Sequence, residues 1–147
     1  MKINPKKIVF SLGFTILIFI LFILVLNIFS YFDPFSFCYI KINYNVDGNK
    51  DTIKKAIEII KNEDKKEYKK LCQYVNLIVE RPCYSGRLGT SGMLRLNEDF
   101  VGCYIKGSKI IYLKPEKEDD FYVTKKRVGA IKKYSQKSQE FWGSFRK

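Results

Sequence analysis

The chain has 147 residues and a formal net charge of +12, with 27 Lys and Arg against 15 Asp and Glu and no histidine. That length leaves room for one modest domain beside a targeting segment. The absence of histidine removes Ser-His-Asp and Cys-His nucleophile systems, histidine-ligated metals and the side chain best suited to proton transfer near neutrality. No catalytic residue, cofactor or metal is therefore assigned, and a non-catalytic role is expected.

The N-terminal residues 1–7 form a basic tail containing Lys2, Lys6 and Lys7, and no charged residue follows until Asp33. The apolar run over 8–32 exceeds the roughly 20 residues that cross a bilayer as a helix. Its exit, Asn27-Ile28-Phe29-Ser30-Tyr31-Phe32, is bulky where a cleaved signal peptide has small residues. Lysines ahead of the run and an aspartate behind it place the N-terminus in the cytoplasm by the positive-inside rule. The expectation is a transmembrane signal anchor over 8–32 in the lipid bilayer, with an extracytoplasmic domain over 33–147. Gly13-Phe14-Thr15 followed by aliphatic residues resembles the start of a type IV pilin-like helix. It departs from that family at Ile18, where an acidic residue belongs, and at Asp33-Pro34, which interrupts the helix.

Beyond Pro34, alternation from Tyr39 to Tyr44 predicts a short strand or extended linker. Asp47-Gly48-Asn49 reads as a turn, with Asp51 or Thr52 capping a helix. Ile53, Ala56, Ile57 and Ile60 share one helical face, and Asn62-Glu63-Asp64 breaks or restarts the helix. Tyr68, Leu71, Cys72, Val75, Ile78 and Val79 make a second helical stripe, ended by Arg81-Pro82. The segment 84–92 reads as a surface loop; its glycines lack the spacing of a phosphate-binding loop.

Two β-rich runs, Val101 to Ile105 and Ile110 to Leu113, flank Lys106-Gly107-Ser108-Lys109 and predict a hairpin. After Pro115, Glu116, Glu118, Asp119 and Asp120 lead into a long helix, with Lys132, Lys133, Lys137, Arg146 and Lys147 toward its end, as the helix dipole favours. Phe121, Val128, Ile131, Tyr134, Phe141 or Trp142, and Phe145 are its expected buried stripe. The fold class expected is α+β: one N-terminal transmembrane helix, then two or three helices with a short antiparallel sheet or hairpin.

Cys38, Cys72, Cys83 and Cys103 are an even set without the close C-x₂₋₄-C pairs of a zinc site. In an oxidising compartment they favour two disulfides, with three possible pairings. Cys83–Cys103 and Cys38–Cys72 are the candidates, and buried reduced thiols are the alternative.

The order of helix, cysteine-containing loop, hairpin over Gly102 to Leu113 and long helix is similar to the scaffold of zinc-metallopeptidase domains, over Ile53 to Trp142. The helix that would bear H-E-x-x-H reads Lys125-Lys126-Arg127-Val128-Gly129-Ala130-Ile131-Lys132-Lys133. It has neither histidine nor glutamate, so the resemblance implies a scaffold without its zinc chemistry.

The basic excess favours polyanions, although an AT-rich coding sequence also writes a lysine-rich, Ile- and Asn-rich chain. Arg87, Arg95, Lys106 and Lys109 are the candidate contacts to an anionic partner. The function expected is a membrane-anchored envelope protein binding a protein partner or an anionic surface polymer. The alternatives are an unconventional envelope hydrolase and a nucleic-acid-binding part of an uptake or pilus machine.

Overall fold

A computed structural model describes residues 5–82, 84–88, 94–96 and 101–146. Helix α1 (Pro5–Phe29) runs into strands β1 (Ser30–Asp33) and β2 (Cys38–Asn43). Helices α2 (Lys50–Glu63) and α3 (Lys65–Tyr74) then lead to β3 (Leu77–Glu80). Strands β4 (Tyr84–Leu88), β5 (Leu94–Leu96), β6 (Gly102–Tyr104) and β7 (Ile110–Leu113) precede α4 (Phe121–Gly143), which ends in a 3₁₀ turn.

The main sheet has five strands in the order β1-β2-β3-β7-β6. Its edges are antiparallel hairpins, β1 with β2 and β6 with β7, while β3 lies parallel to both β2 and β7. This mixed sheet replaces the short antiparallel sheet expected. The expected second helical stripe is cut at Tyr74 for the same reason. Leu77-Ile78-Val79 is β-branched and apolar, and it becomes the central strand, where both edges find a partner.

The stretch 84–92, expected as a loop, contributes β4, which pairs antiparallel with β5. The hairpin over 101–113 forms as β6 and β7, with Cys103 opposite Tyr112. Its turn uses Gly107 at φ 85°, a left-handed conformation that costs glycine little.

Alternation on β2 buries Cys38, Ile40 and Ile42 and exposes Tyr39, Lys41 and Asn43. Ile42, Ile78 and Ile111 are register partners across β2, β3 and β7, and all three are buried. They meet Ile53, Ile57 and Ile60 of α2, Leu71 of α3 and Ile131 of α4 in one core. Asp64 ends α2 and starts α3, its side chain accepting from the N–H groups of Lys66 and Glu67. Asn49, rather than Asp51 or Thr52, caps α2 by accepting from the Asp51 N–H at 3.0 Å. On α4 the expected stripe is only partly buried: Ile131 and Tyr134 are inside, whereas Phe121 and Phe145 are exposed. Thr124, Arg127, Ser135 and Ser138 take buried places beside them.

The N-terminal expectation is corrected. Ser30, Tyr31 and Phe32 leave the apolar helix for β1, and Ser30, Tyr31 and Asp33 are buried there. Among the described residues no helix is long and apolar enough to cross a membrane. That overturns the signal anchor over 8–32, the single-pass membrane topology and the extracytoplasmic placement that rested on it. The exposed side chains of α1 from Phe14 to Ile28 remain 47–59% accessible.

Two devices tie β1 and β2 to the helices. The Cys38–Cys72 disulfide joins the start of β2 to α3, with Cα atoms 5.0 Å apart. Beside it Asp33 accepts from the Tyr68 hydroxyl at 2.9 Å and from Lys61 Nζ at 3.0 Å. Tyr31, 3.2 Å from the Tyr68 hydroxyl, donates to Glu58 at 2.8 Å. Burial raises the Asp33 pKa, but the hydrogen bonds from Lys61, Tyr68 and Ser36 and the Lys61 charge outweigh it and hold the carboxyl at about 2. Burial foremost pushes both tyrosine hydroxyls upward.

At the opposite end of the sheet, Glu80 and Arg127 form a buried ion pair, with side chains 0% and 2% exposed. Glu80 Oε1 also accepts from the Asn49 N–H at 3.1 Å, and Arg127 Nη1 donates to Asn49 O at 2.9 Å. Arg127 Nη2 reaches Glu116 O at 3.5 Å. Gly48 makes room for the carboxylate: a Cβ there would fall 1.8 Å from Glu80 Oε2.

Three stability outcomes follow. The C38A/C72A variant is expected to lose about 3–4 kcal/mol in urea denaturation, the chain-entropy worth of a loop of this length; an unchanged midpoint would refute the bridge. Asp33→Asn should lose about 2 kcal/mol near neutrality. Because the folded pKa is depressed, this stability is complete above the unfolded value of ~4 and drains away as pH falls toward 2. The two proteins should therefore converge in acid. Arg127→Met should cost ~3–5 kcal/mol by stranding a buried carboxylate, and the double variant E80Q/R127M should recover most of it; denaturation midpoints of all three proteins check this.

Candidate anion-binding groove

Helix α4 carries Lys125, Gly129, Lys133 and Lys137 at intervals of four, so their Cα positions follow one another along one side at a spacing of about 6 Å. Opposite lies the β6–β7 hairpin. Gly102 holds β6 close to the helix: a Cβ there would sit 2.5 Å from Tyr112 O and 3.3 Å from the Tyr134 ring. The Tyr134 hydroxyl donates to Gly102 O, fastening hairpin to helix. Ser138 Oγ donates to Tyr74 O at 2.7 Å and holds the next turn against α3.

Two open hollows lie along this seam. One, of about 320 Å³, is lined by Val101, Lys125, Lys126, Gly129 and Lys133. Gly129 has nothing within 4 Å of where its Cβ would be, so the missing side chain leaves open space between the lysines. The other, of about 570 Å³, is lined by Tyr104, Lys106, Lys137, Glu140 and Phe141. Tyr134 lines the first hollow, and its ring is flanked by Lys133 of that hollow and Lys137 of the other, each with Nζ 5.7 Å from the ring centroid. Lys126 stacks over Tyr122 at 4.3 Å. The result is a row of ammonium groups backed by aromatic rings, with Glu140 as the acidic side chain lining the second hollow.

The candidates from the sequence are distributed unevenly. Lys106 enters the groove opposite Lys137. Lys109, in the same turn, is drawn instead to the Trp142 ring, 5.3 Å from its centroid. Arg87 lies on β4 and Arg95 on β5 opposite Ser85; their side chains fall outside the described residues. Cys38 and Cys72 are bridged and Cys103 is disulfide-bonded, while Cys83 lies outside the described residues. The α4 lysines escaped sequence reasoning as a site because a lysine-rich helix is ordinarily a solvated face. The usable signal was Gly129, a residue that lowers helix propensity in the middle of that face.

No family model matches this sequence, no curated protein matches it, and no solved structure matches it.

Proposed function

We propose that the domain is a non-catalytic binding module for an anionic polymer, which lies along α4 against the β6–β7 hairpin. One observation carries the reading: Lys125, Lys126 and Lys133 line one hollow on α4, Lys137 and Lys106 line another, and Lys133 and Lys137 flank the same Tyr134 ring. Lysine ammonium groups are strongly hydrated point charges without the fixed fork of arginine. A row of them suits repeated phosphate, sulfate or carboxylate groups along a chain more than one planar group held by two bonds. Both hollows are open and their lysines follow one another along α4, so a polymer chain can pass from one to the other. The charge of the whole chain adds long-range attraction in the same direction.

Fluorescence anisotropy with labelled inorganic polyphosphate and with heparin fragments tests this. Affinity should fall steeply as salt rises, and K133Q/K137Q should flatten the log–log salt slope by roughly one unit per lysine. Salt-insensitive binding, or an unchanged slope in that variant, would overturn the proposal. Tighter binding of single-stranded DNA than of polyphosphate at equal charge would turn the reading to nucleic acid.

A further inference from the structure

The β1–β2 turn places a bulky aromatic residue at its last position, where the hairpin calls for a left-handed conformation that Gly or Asn adopts more cheaply. Phe37 adopts φ 49°, in the left-handed region that a bulky residue rarely enters. Such strain is ordinarily offset by packing, yet Phe37 is 92% exposed. A residue that is both strained and solvated is a candidate for binding rather than for stability.

Its ring borders a cleft of about 670 Å³ between the turn and α3, within the usual size of a small-molecule site. Lys61, Lys65, Lys69 and Gln73 follow one another at intervals of four along its rim. They are not equivalent. Lys61 is already committed to Asp33, which Tyr68 also bonds, so the polar floor is internally neutralised. Lys65 and Lys69 form no ion pair among the described residues. The Tyr68 ring and Cys72 also line the cleft, and the disulfide through Cys72 fixes the turn against the helix.

We infer that this cleft is a second binding site, distinct from the α4 groove, for a small amphipathic anion: one phosphate, sulfate or carboxylate group on an aromatic or branched apolar body. Lys65 and Lys69 meet the charge, Gln73 supplies an amide, and Phe37 closes over the body. The strain at Phe37 is then offset in the bound state, when its ring is covered. An extended polyanion does not fit this division, because the apolar Phe37 ring occupies the side facing the lysines.

Phenyl phosphate is a probe carrying both halves, with inorganic phosphate and phenol as the separate halves. Protein-observed NMR titration should show saturable shifts at Phe37, Lys65, Lys69 and Gln73 with phenyl phosphate at millimolar concentration. Either half alone should bind at least tenfold more weakly. K65Q/K69Q is expected to weaken phenyl phosphate about tenfold, the equivalent of one charge-assisted hydrogen bond. Phe37→Gly relaxes the backbone strain, so its melting temperature should hold or rise while affinity falls about tenfold. K133Q/K137Q should leave this affinity unchanged. The inference fails if no saturable shift occurs, if inorganic phosphate binds as well as phenyl phosphate, or if Phe37→Gly binds with full affinity. It also fails if the shifts gather on α4 instead, an outcome that leaves the groove standing.

Discussion

The buried pair of Glu80 and Arg127 constrains more of the molecule than its two residues suggest. It stands where the parallel strands β2, β3 and β7 end, the end at which loops of an open α/β arrangement converge. Arg127 reaches the turn before α2, the end of β3 and the connection after β7 at once, through Asn49, Glu80 and Glu116. An ion pair out of water needs every contact it has to offset desolvation. Here Arg127 Nε and Glu80 Oε2 have no hydrogen-bond partner among the described residues, so the pair is costly as well as constraining. Such a pair serves geometry more than stability: it sets one rotation of α4 about its axis and one approach of α2.

That rotation matters for the rest of α4. With Arg127 directed inward, Ala130, Ile131 and Tyr134 follow it into the core, and Ser138 comes against α3. Lys125, Gly129, Lys133 and Lys137 are then carried to the seam with β6. The basic groove is a consequence of the helix phase, and the phase depends on a charge being buried at one position. At the other end of the domain, Cys38–Cys72 and the Asp33 network do for the β1–β2 hairpin what Arg127 does for α4. Each end of the sheet thus has its own covalent or ionic tie, and each basic site lies on an element so tied.

Several features were legible in the chain because they rest on local rules. The α2 stripe of Ile53, Ala56, Ile57 and Ile60, the break at Asp64 and the 101–113 hairpin follow from periodicity, capping or turn chemistry; an even cysteine count favoured bridging, but only the fold picks Cys38 with Cys72 from three pairings. Leu77 to Glu80 was not legible as a strand, because Ile78 and Val79 continue a helical spacing from Tyr68. The β-branched run resolves into a strand only when β2 and β7 are present on both sides. Tyr31 and Phe32 misled in a similar way, since an apolar run does not announce which of its residues will bury in a sheet.

What the sequence determined by itself is the chemistry available: a lysine-rich surface, no histidine, one long apolar N-terminal run, and cysteines placed for bridging. Those are properties of residue types and near neighbours, and no fold changes them. Tertiary structure alone decided which charges are sites. Arg127 and Lys126 are neighbours in the chain, yet one is buried against Glu80 and the other lines the groove. Lys61 and Lys65 differ in the same way, one spent on Asp33 and the other at the cleft without an ion pair among the described residues. The reason is that burial and pairing are set by long-range packing, where residues far apart in sequence choose each other's partners.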